Sequence, residues 1–111
     1  MTATIDQDRD EVRSLLLKAE ERVRNDPNAD ASNALVSAAV AIADRWHAEG
    51  QIVELLSPLL DDDEDRQVRY SVASVLLQRG QPDLAVPVLE TVGVPEAKFL
   101  LRKWRREQQN A

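Results

Sequence analysis

The sequence predicts an all-α fold of about six helices, arranged as stacked antiparallel helical hairpins. Apolar residues recur at helical spacing along most of the chain, and no alternating strand pattern bounded by turn signals occurs. In addition, one short sequence motif occurs twice. Gly50-Gln51 comes shortly before Leu-Leu-Ser-Pro-Leu-Leu, and Gly80-Gln81 comes shortly before Leu-Ala-Val-Pro-Val-Leu. The two glycines are 30 residues apart, and self-similarity at such a period is typical of stacked helical hairpins.

The first two helices are predicted over residues 8–24 and 33–49. A turn is expected at 25–28, because Pro27 cannot continue a helix and disfavours helix in the residue before it. The apolar stripe of the first helix consists of Val12, Leu15, Leu16, Ala19 and Val23. The seam of the second consists of Leu35, Ala39, Ile42 and Trp46. Gly50 suits the left-handed position just past a helix end.

Four further helices are predicted over residues 52–60, 66–79, 82–91 and 95–108. Pro58 removes the hydrogen bond to the Glu54 carbonyl, so a bend is expected in the third helix. The fourth helix has apolar residues on two sides, which indicates that other elements pack against both. These residues are Val68, Val72, Val75 and Leu76 on one side, and Tyr70, Ala73 and Leu77 on the other.

One family resemblance lies in the middle of the chain. An acidic turn at 61–65 is followed by Val68-Arg69, the pair Val72-Ala73, a glycine, and a second helix containing Val-Pro and Leu. This order resembles a short HEAT-like repeat over residues 66–89, and residues 33–60 look like a degenerate earlier copy. The spacing is also similar to that of a tetratricopeptide repeat. Either resemblance implies an α-solenoid fragment that serves as a protein-binding scaffold, and neither supplies a catalytic residue.

The composition of the chain excludes or disfavours several classes of function. The 111 residues fit a single domain, 1–111, whose ends at 1–7 and 109–111 are expected to fray. The net charge of −6 disfavours non-specific binding to nucleic acid or to an anionic membrane. The absence of cysteine excludes disulfides, thiolate metal sites and cysteine nucleophiles. Residues 1–10 lack the apolar run of a signal peptide, and no apolar run is long enough to span a membrane. A cytoplasmic location is therefore expected.

No pattern of residues indicates catalysis or a cofactor. The serines lie in no nucleophile elbow or triad-like context, and the three glycines are single helix stops rather than a phosphate-binding loop. His47 is the sole histidine, so a metal site is not predicted and a packed or half-exposed structural role is expected. The acidic run Asp61–Asp65 is read as helix capping rather than as a cation or partner site.

Three groups of residues are candidates for binding a partner. The last helix carries Phe99, Arg102, Lys103 and Arg106 opposite its core stripe of Ala97, Leu100, Leu101 and Trp104. Leu17 lies off the apolar stripe of the first helix, where it is either a singly exposed leucine or part of a contact surface. The second helices of the hairpins offer an acidic surface that includes Glu54, Asp83 and Glu90.

The sequence therefore predicts a non-enzymatic interaction module or adaptor that binds a protein partner through helical surfaces. Two alternatives stay open. One is an acidic inhibitor or immunity-type protein that blocks a basic target, and the other is a nucleic-acid-linked regulator that uses the basic last helix. The segregation of acidic and basic residues also permits self-association. The sequence names no partner.

Overall fold

The computed structural model describes residues 4–25 and 30–110, and within these ranges the chain is helical with no strand. The all-α prediction is thereby confirmed. The helices are α1 (Ile5–Asn25), α2 (Asp30–Ala48), α3 (Ile52–Leu56), α4 (Arg66–Gln78), α5 (Pro82–Thr91) and α6 (Pro95–Gln109). A 3-10 turn, Ser57–Leu60, follows α3 directly.

Helix α1 begins at Ile5, three residues before the predicted start. The reason is a capping box, in which the Gln7 backbone N–H donates to Thr4 Oγ1 at 3.1 Å and the Thr4 N–H donates to Gln7 Oε1 at 2.9 Å. Helix α2 likewise begins at Asp30 rather than at residue 33. Of the turn predicted at 25–28, Asn25 ends α1, and residues 26–28 lie outside the described residues.

Helices α1 and α2 form an antiparallel pair. The indole N–H of Trp46 donates to Asp8 Oδ2 at 2.7 Å, and Arg45 Nη2 lies 3.3 Å from the same oxygen. Asp8 is near the start of α1 whereas Arg45 and Trp46 are near the end of α2, so the helices run in opposite directions. Asp8 is only 7% exposed, and these bonds provide the partners that a buried carboxylate requires.

Helix α4 lies at the centre of the core. It packs against α1, α3, the 3-10 turn and α5, and residues from both of its predicted apolar sides are buried. The prediction that α4 is covered on two sides is therefore confirmed. Its fully covered side chains are Val68, Val72, Ala73, Leu76 and Leu77. The core is built mainly from leucine, valine and alanine, as the low aromatic content requires.

The predicted bend at Pro58 takes the form of a change from α-helix to 3-10 turn at Ser57. Proline has no N–H, so the Glu54 carbonyl loses the donor that would come from position 58. Arg9 on α1 replaces it: Arg9 Nη2 donates to the Glu54 carbonyl at 2.6 Å, and Arg9 Nε donates to the Leu55 carbonyl at 2.7 Å. One α1 side chain thus caps the end of α3.

The Gly-Gln motif that occurs twice in the sequence lies at two helix ends, each of which is closed by a Schellman cap. At the end of α4, the Gln81 N–H donates to the Leu76 carbonyl at 2.9 Å, and the Gly80 N–H donates to the Leu77 carbonyl at 3.3 Å. Residues 46–51 repeat this pattern at the end of α2. The repeat in the sequence therefore reflects two similar helix ends, each followed by another helix.

We expect Gly80→Val to destabilise the protein by about 1–2 kcal/mol, the cost of a left-handed backbone for a residue with a Cβ. Gly80 has φ +82°, and a Cβ added there would meet no atom within 4 Å, so backbone strain is the only penalty. Denaturant melts measure the loss. Gly80→Asn is the control and should cost less, because asparagine tolerates this conformation. Equal, negligible losses for both variants would contradict the strain argument.

Candidate docking surface on helix α6

The orientation of α6 is set by the buried side of the helix. Val92 and Val94 are buried in the connection from α5, and Gly93 between them has φ +76°. On α6 itself Ala97 and Leu101 are buried, and Leu100 and Trp104 are half-buried against the core. The predicted core stripe is therefore confirmed, and the residues opposite it face solvent.

Phe99 is the most exposed large apolar side chain in the described part of the protein, at 67%. Arg102 lies one turn further along, and its guanidinium carbon is 5.8 Å from the centre of the Phe99 ring. This distance is within the range of a cation–π interaction, which orients the Arg102 side chain without burying the ring. Aromatic residues and arginine are both enriched in the buried cores of protein interfaces.

The basic residues of α6 divide between two flanks. On the α5 side, an open cleft of about 530 Å³ lies over Leu89 and Leu101. The polar residues around it are Glu90, Lys98, Arg102, Arg105, Arg106 and Gln109. Lys103 instead lines a cleft on the opposite flank, beside Gly80, Pro82 and Trp104. The four predicted residues of α6 are thus on one helix, but Lys103 lines the cleft on one flank of the helix, whereas Arg102 and Arg106 line the cleft on the other.

Most of this positive charge has no acidic partner. Among the described residues, Lys98, Lys103 and Arg106 form no ion pair, and Arg105 pairs with Glu90 at 3.5 Å between Nη2 and Oε2. Elsewhere, five arginines pair with carboxylates within the chain: Arg9, Arg13, Arg24, Arg45 and Arg79. The charge on α6 is therefore available to an external group.

One of these internal ion pairs joins α2 to the end of α4. Arg79 Nε is 2.8 Å from Asp44 Oδ1, and Arg79 Nη2 is 3.2 Å from Asp44 Oδ2, which is a bidentate arrangement. The hydrogen bonds from Arg79 lower the pKa of Asp44. This pair shows how the protein uses arginine for structure, in contrast with the unpaired bases of α6.

The acidic candidates differ in their surroundings. Glu54 and Asp83 are exposed on α3 and α5. Glu90 is exposed too, but it lies at the basic cleft and pairs with Arg105. The positive charge of Arg105 therefore offsets the negative charge of Glu90. The sequence did not indicate this contact, because Glu90 and Arg105 are 15 residues apart on different helices.

Two α1 residues differ from expectation. Leu17 is half-buried and packs against the core, so it is not a singly exposed leucine, and its part in a contact surface stays a prediction. Val23, predicted in the apolar stripe, is 63% exposed. It lies in the last turn of α1, one turn beyond the buried Ala19. Val23 is a useful reference for Phe99, because both are exposed and apolar.

The acidic turn has the structural role that the sequence predicted. Asp65 Oδ1 accepts from the N–H groups of Gln67 and Val68 at 2.9 and 3.1 Å, and so caps α4. Glu64 pairs with Arg13 at 2.9 Å, which ties the turn to α1. No cluster of three potential metal ligands occurs within the described residues. His47 is exposed rather than packed.

A further cleft, of about 340 Å³, lies between α2 and α4 over the α1 residues Val12 and Leu16. Its walls are mainly valine and alanine, and Tyr70 is at its edge. Burial of the phenol raises the pKa of Tyr70, and the nearby charge of Glu96 raises it further.

We expect the Tyr70 phenol to ionise above pH 10 in the folded protein, with a lower midpoint in Glu96→Gln. Tyr70 is the only tyrosine, so the ultraviolet absorbance of tyrosinate reports on it alone. Because the folded-state pKa is raised, the stability linked to this group is fully present below about pH 10 and falls as the pH rises through the folded value. A midpoint equal to that of the denatured chain would contradict the placement of Tyr70.

Comparisons with known proteins assign no relative: no family model, no curated protein and no solved structure matches the chain. Within the described residues, no helix is both long and apolar enough to cross a membrane. The function must therefore be argued from the surface of the protein itself.

Proposed function

We propose that this protein is a non-enzymatic interaction module that binds another protein through the outer face of α6. The observation that carries the proposal is Phe99, which is 67% exposed beside the guanidinium group of Arg102. A solvent-exposed phenylalanine has no role in the core of the protein that displays it. Within an interface it would be a large apolar anchor.

The surroundings of Phe99 suit that role. Arg102 and Arg106 provide charge on the same outer face, and charge of one sign raises the rate of encounter with a complementary surface and fixes its orientation. Apolar burial of Phe99 would then supply affinity. The helix that carries these residues is held to the core by Ala97 and Leu101, so the backbone of the surface is preorganised and little backbone entropy is lost on binding.

The fold is consistent with a scaffold role. Two helix ends with the same Schellman cap connect α2 to α3 and α4 to α5, as expected for successive hairpins of a short HEAT-like or tetratricopeptide-like repeat. In this proposal α6 closes one end of the stack and presents its outer face. Such repeats bury a continuous core between neighbouring units and leave an outer surface for binding.

The two alternatives from the sequence predict different behaviour. An inhibitor of a basic target would use acidic residues such as Glu54 and Asp83, and would be insensitive to changes on α6. A nucleic-acid-linked regulator would use Arg102 and Arg106 and would lose affinity steeply with salt. Neither alternative needs Phe99 as an apolar anchor.

The test is Phe99→Ala in a binding assay with a protein captured by the immobilised wild-type chain. We expect a loss of about 2 kcal/mol, or about thirtyfold in Kd, as for truncation of an interface anchor. The free energy of unfolding should change by less than about 0.5 kcal/mol, because the ring is exposed. Val23→Ala is the matched control and should leave binding unchanged. Equal binding by all three proteins would contradict the proposal.

A further inference from the structure

We infer that the cleft between α5 and α6 binds an acidic peptide segment, with carboxylates spaced one helical turn apart. This inference rests on the proposed function and names the chemistry of the partner. The cleft combines a floor of Leu89 and Leu101 with a wall of basic side chains, and it adjoins the outer face that bears Phe99. A ligand that fits must therefore be both acidic and amphipathic.

The spacing of the basic residues along the cleft defines the spacing expected of the acidic residues in the ligand. Lys98, Arg102 and Arg105 recur at intervals of four and three residues, and Gln109 continues the row after another four. At 1.5 Å per residue the row is about 16 Å long, which matches three turns of a bound helix with acidic residues at the same intervals. The guanidinium groups suit this ligand, because they bind carboxylates through two parallel hydrogen bonds.

Glu90 acts as an internal competitor for this site. Its Oε2 is 3.5 Å from Arg105 Nη2, and both side chains are about half exposed, so an incoming carboxylate can replace Glu90 at Arg105. Until it is replaced, Glu90 repels an acidic ligand. Removal of the Glu90 charge should therefore strengthen binding, whereas it would weaken binding of a basic partner to an acidic α5 surface.

An acidic peptide fits the cleft better than a nucleic acid does. The chain as a whole carries a net charge of −6, so a long polyanion would be repelled wherever it extends beyond α6. The exposed ring of Phe99 offers an apolar contact beside the cleft, which an amphipathic peptide can use and which the sugar-phosphate backbone of a nucleic acid cannot.

The experiment is fluorescence anisotropy with a labelled helical peptide that has Glu at one-turn intervals and Leu on the adjacent face. We expect the wild-type protein to bind this peptide, and a version with Gln in place of Glu to bind more weakly. Lys98→Gln/Arg102→Gln, which removes two members of the row, should weaken binding about tenfold, the change that two exposed charge pairs supply. Glu90→Gln should tighten it about threefold.

The matched control is Arg22→Gln/Arg66→Gln, which removes the same charge from exposed positions on α1 and α4. It should leave Kd nearly unchanged. Equal losses in the two double variants would show that binding follows net charge alone, and would overturn the inference. Weaker binding by Glu90→Gln, or tighter binding of a single-stranded DNA of equal charge, would overturn it as well.

Failure of this inference is distinguishable from failure of the proposed function. If the acidic peptide does not bind, yet a captured protein still depends on Phe99, the cleft is not the acidic-peptide site while the outer face of α6 remains the docking surface. If the peptide binds and depends on Lys98 and Arg102 but Phe99→Ala has no effect on a captured protein, the cleft is supported and the Phe99 anchor is wrong.

Discussion

Leu76→Ala should destabilise the protein by about 2–5 kcal/mol, the range for truncation of a buried leucine that leaves a cavity. Leu76 is 0% exposed in the last turn of α4, a helix that packs against α1, α3, the 3-10 turn and α5. Urea unfolding followed by circular dichroism measures the change in the free energy of unfolding. Because a domain of this size is typically stable by only about 5–15 kcal/mol, the variant should be close to its unfolding threshold at room temperature.

The matched control for this prediction is Leu60→Ala. Leu60 is half-buried at the end of the 3-10 turn, so the same truncation removes less apolar contact there. We expect it to cost clearly less than Leu76→Ala. A loss below about 1 kcal/mol at Leu76, or equal losses at both positions, would mean that α4 is not the centre of the core.

The second large effect is expected from Arg9→Ala, which should lower the free energy of unfolding by about 2–3 kcal/mol. Arg9 donates charge-assisted hydrogen bonds to the Glu54 and Leu55 carbonyls, and such bonds contribute more than neutral ones. The substitution leaves the Glu54 carbonyl without a protein donor, because Pro58 cannot supply one. Thermal or urea melts of the variant give the loss.

A double-mutant cycle with Pro58→Ala tests this explanation. Alanine at position 58 restores an N–H one turn after Glu54, so the carbonyl gains a local donor and depends less on Arg9. We expect the cost of Arg9→Ala to fall by about 1 kcal/mol in the Pro58→Ala background. An unchanged cost would show that Arg9 stabilises the protein for another reason, such as its ion pair with Asp6 at 2.7 Å.

Local sequence signals predicted the elements of the fold well. Gly80 and Gly50 end helices with positive φ, Pro82 and Pro95 begin helices, and Asp65 caps α4. Each of these outcomes follows from the conformational preference of one residue and needs no knowledge of distant parts of the chain. The two apolar sides of α4 were also readable, because a helix buried on both sides shows it in its own periodicity.

The contacts that join the helices could not be predicted in this way. Arg9 meets Glu54 across 45 residues, and Asp8 meets Trp46 across 38. Nothing in the local pattern distinguishes these polar residues from ordinary solvent-exposed ones. The early start of α1, in contrast to these long-range contacts, has a local cause. It follows from the capping box between Thr4 and Gln7, which are only three residues apart in the sequence.

The candidate surface was predicted in part. Helical spacing on α6 was enough to place Phe99, Arg102 and Arg106 opposite the core stripe. It could not show that Glu90 lies against Arg105, or that Lys103 faces a different cleft, because both depend on how α5 and α4 pack beside α6. The division of the bases into two flanks is therefore a result of packing.

The most direct test of the central claim, that α6 docks onto another protein through Phe99, is site-specific photo-crosslinking. A photoreactive phenylalanine analogue placed at position 99 should crosslink a discrete protein in cell extract, and excess unlabelled wild-type chain should compete whereas Phe99→Ala should compete poorly. The same analogue at position 23, an exposed site on α1, should not crosslink that protein. A product at twice the mass of the chain would identify a second copy as the partner. No discrete product at position 99, or the same product from both positions, would contradict the claim.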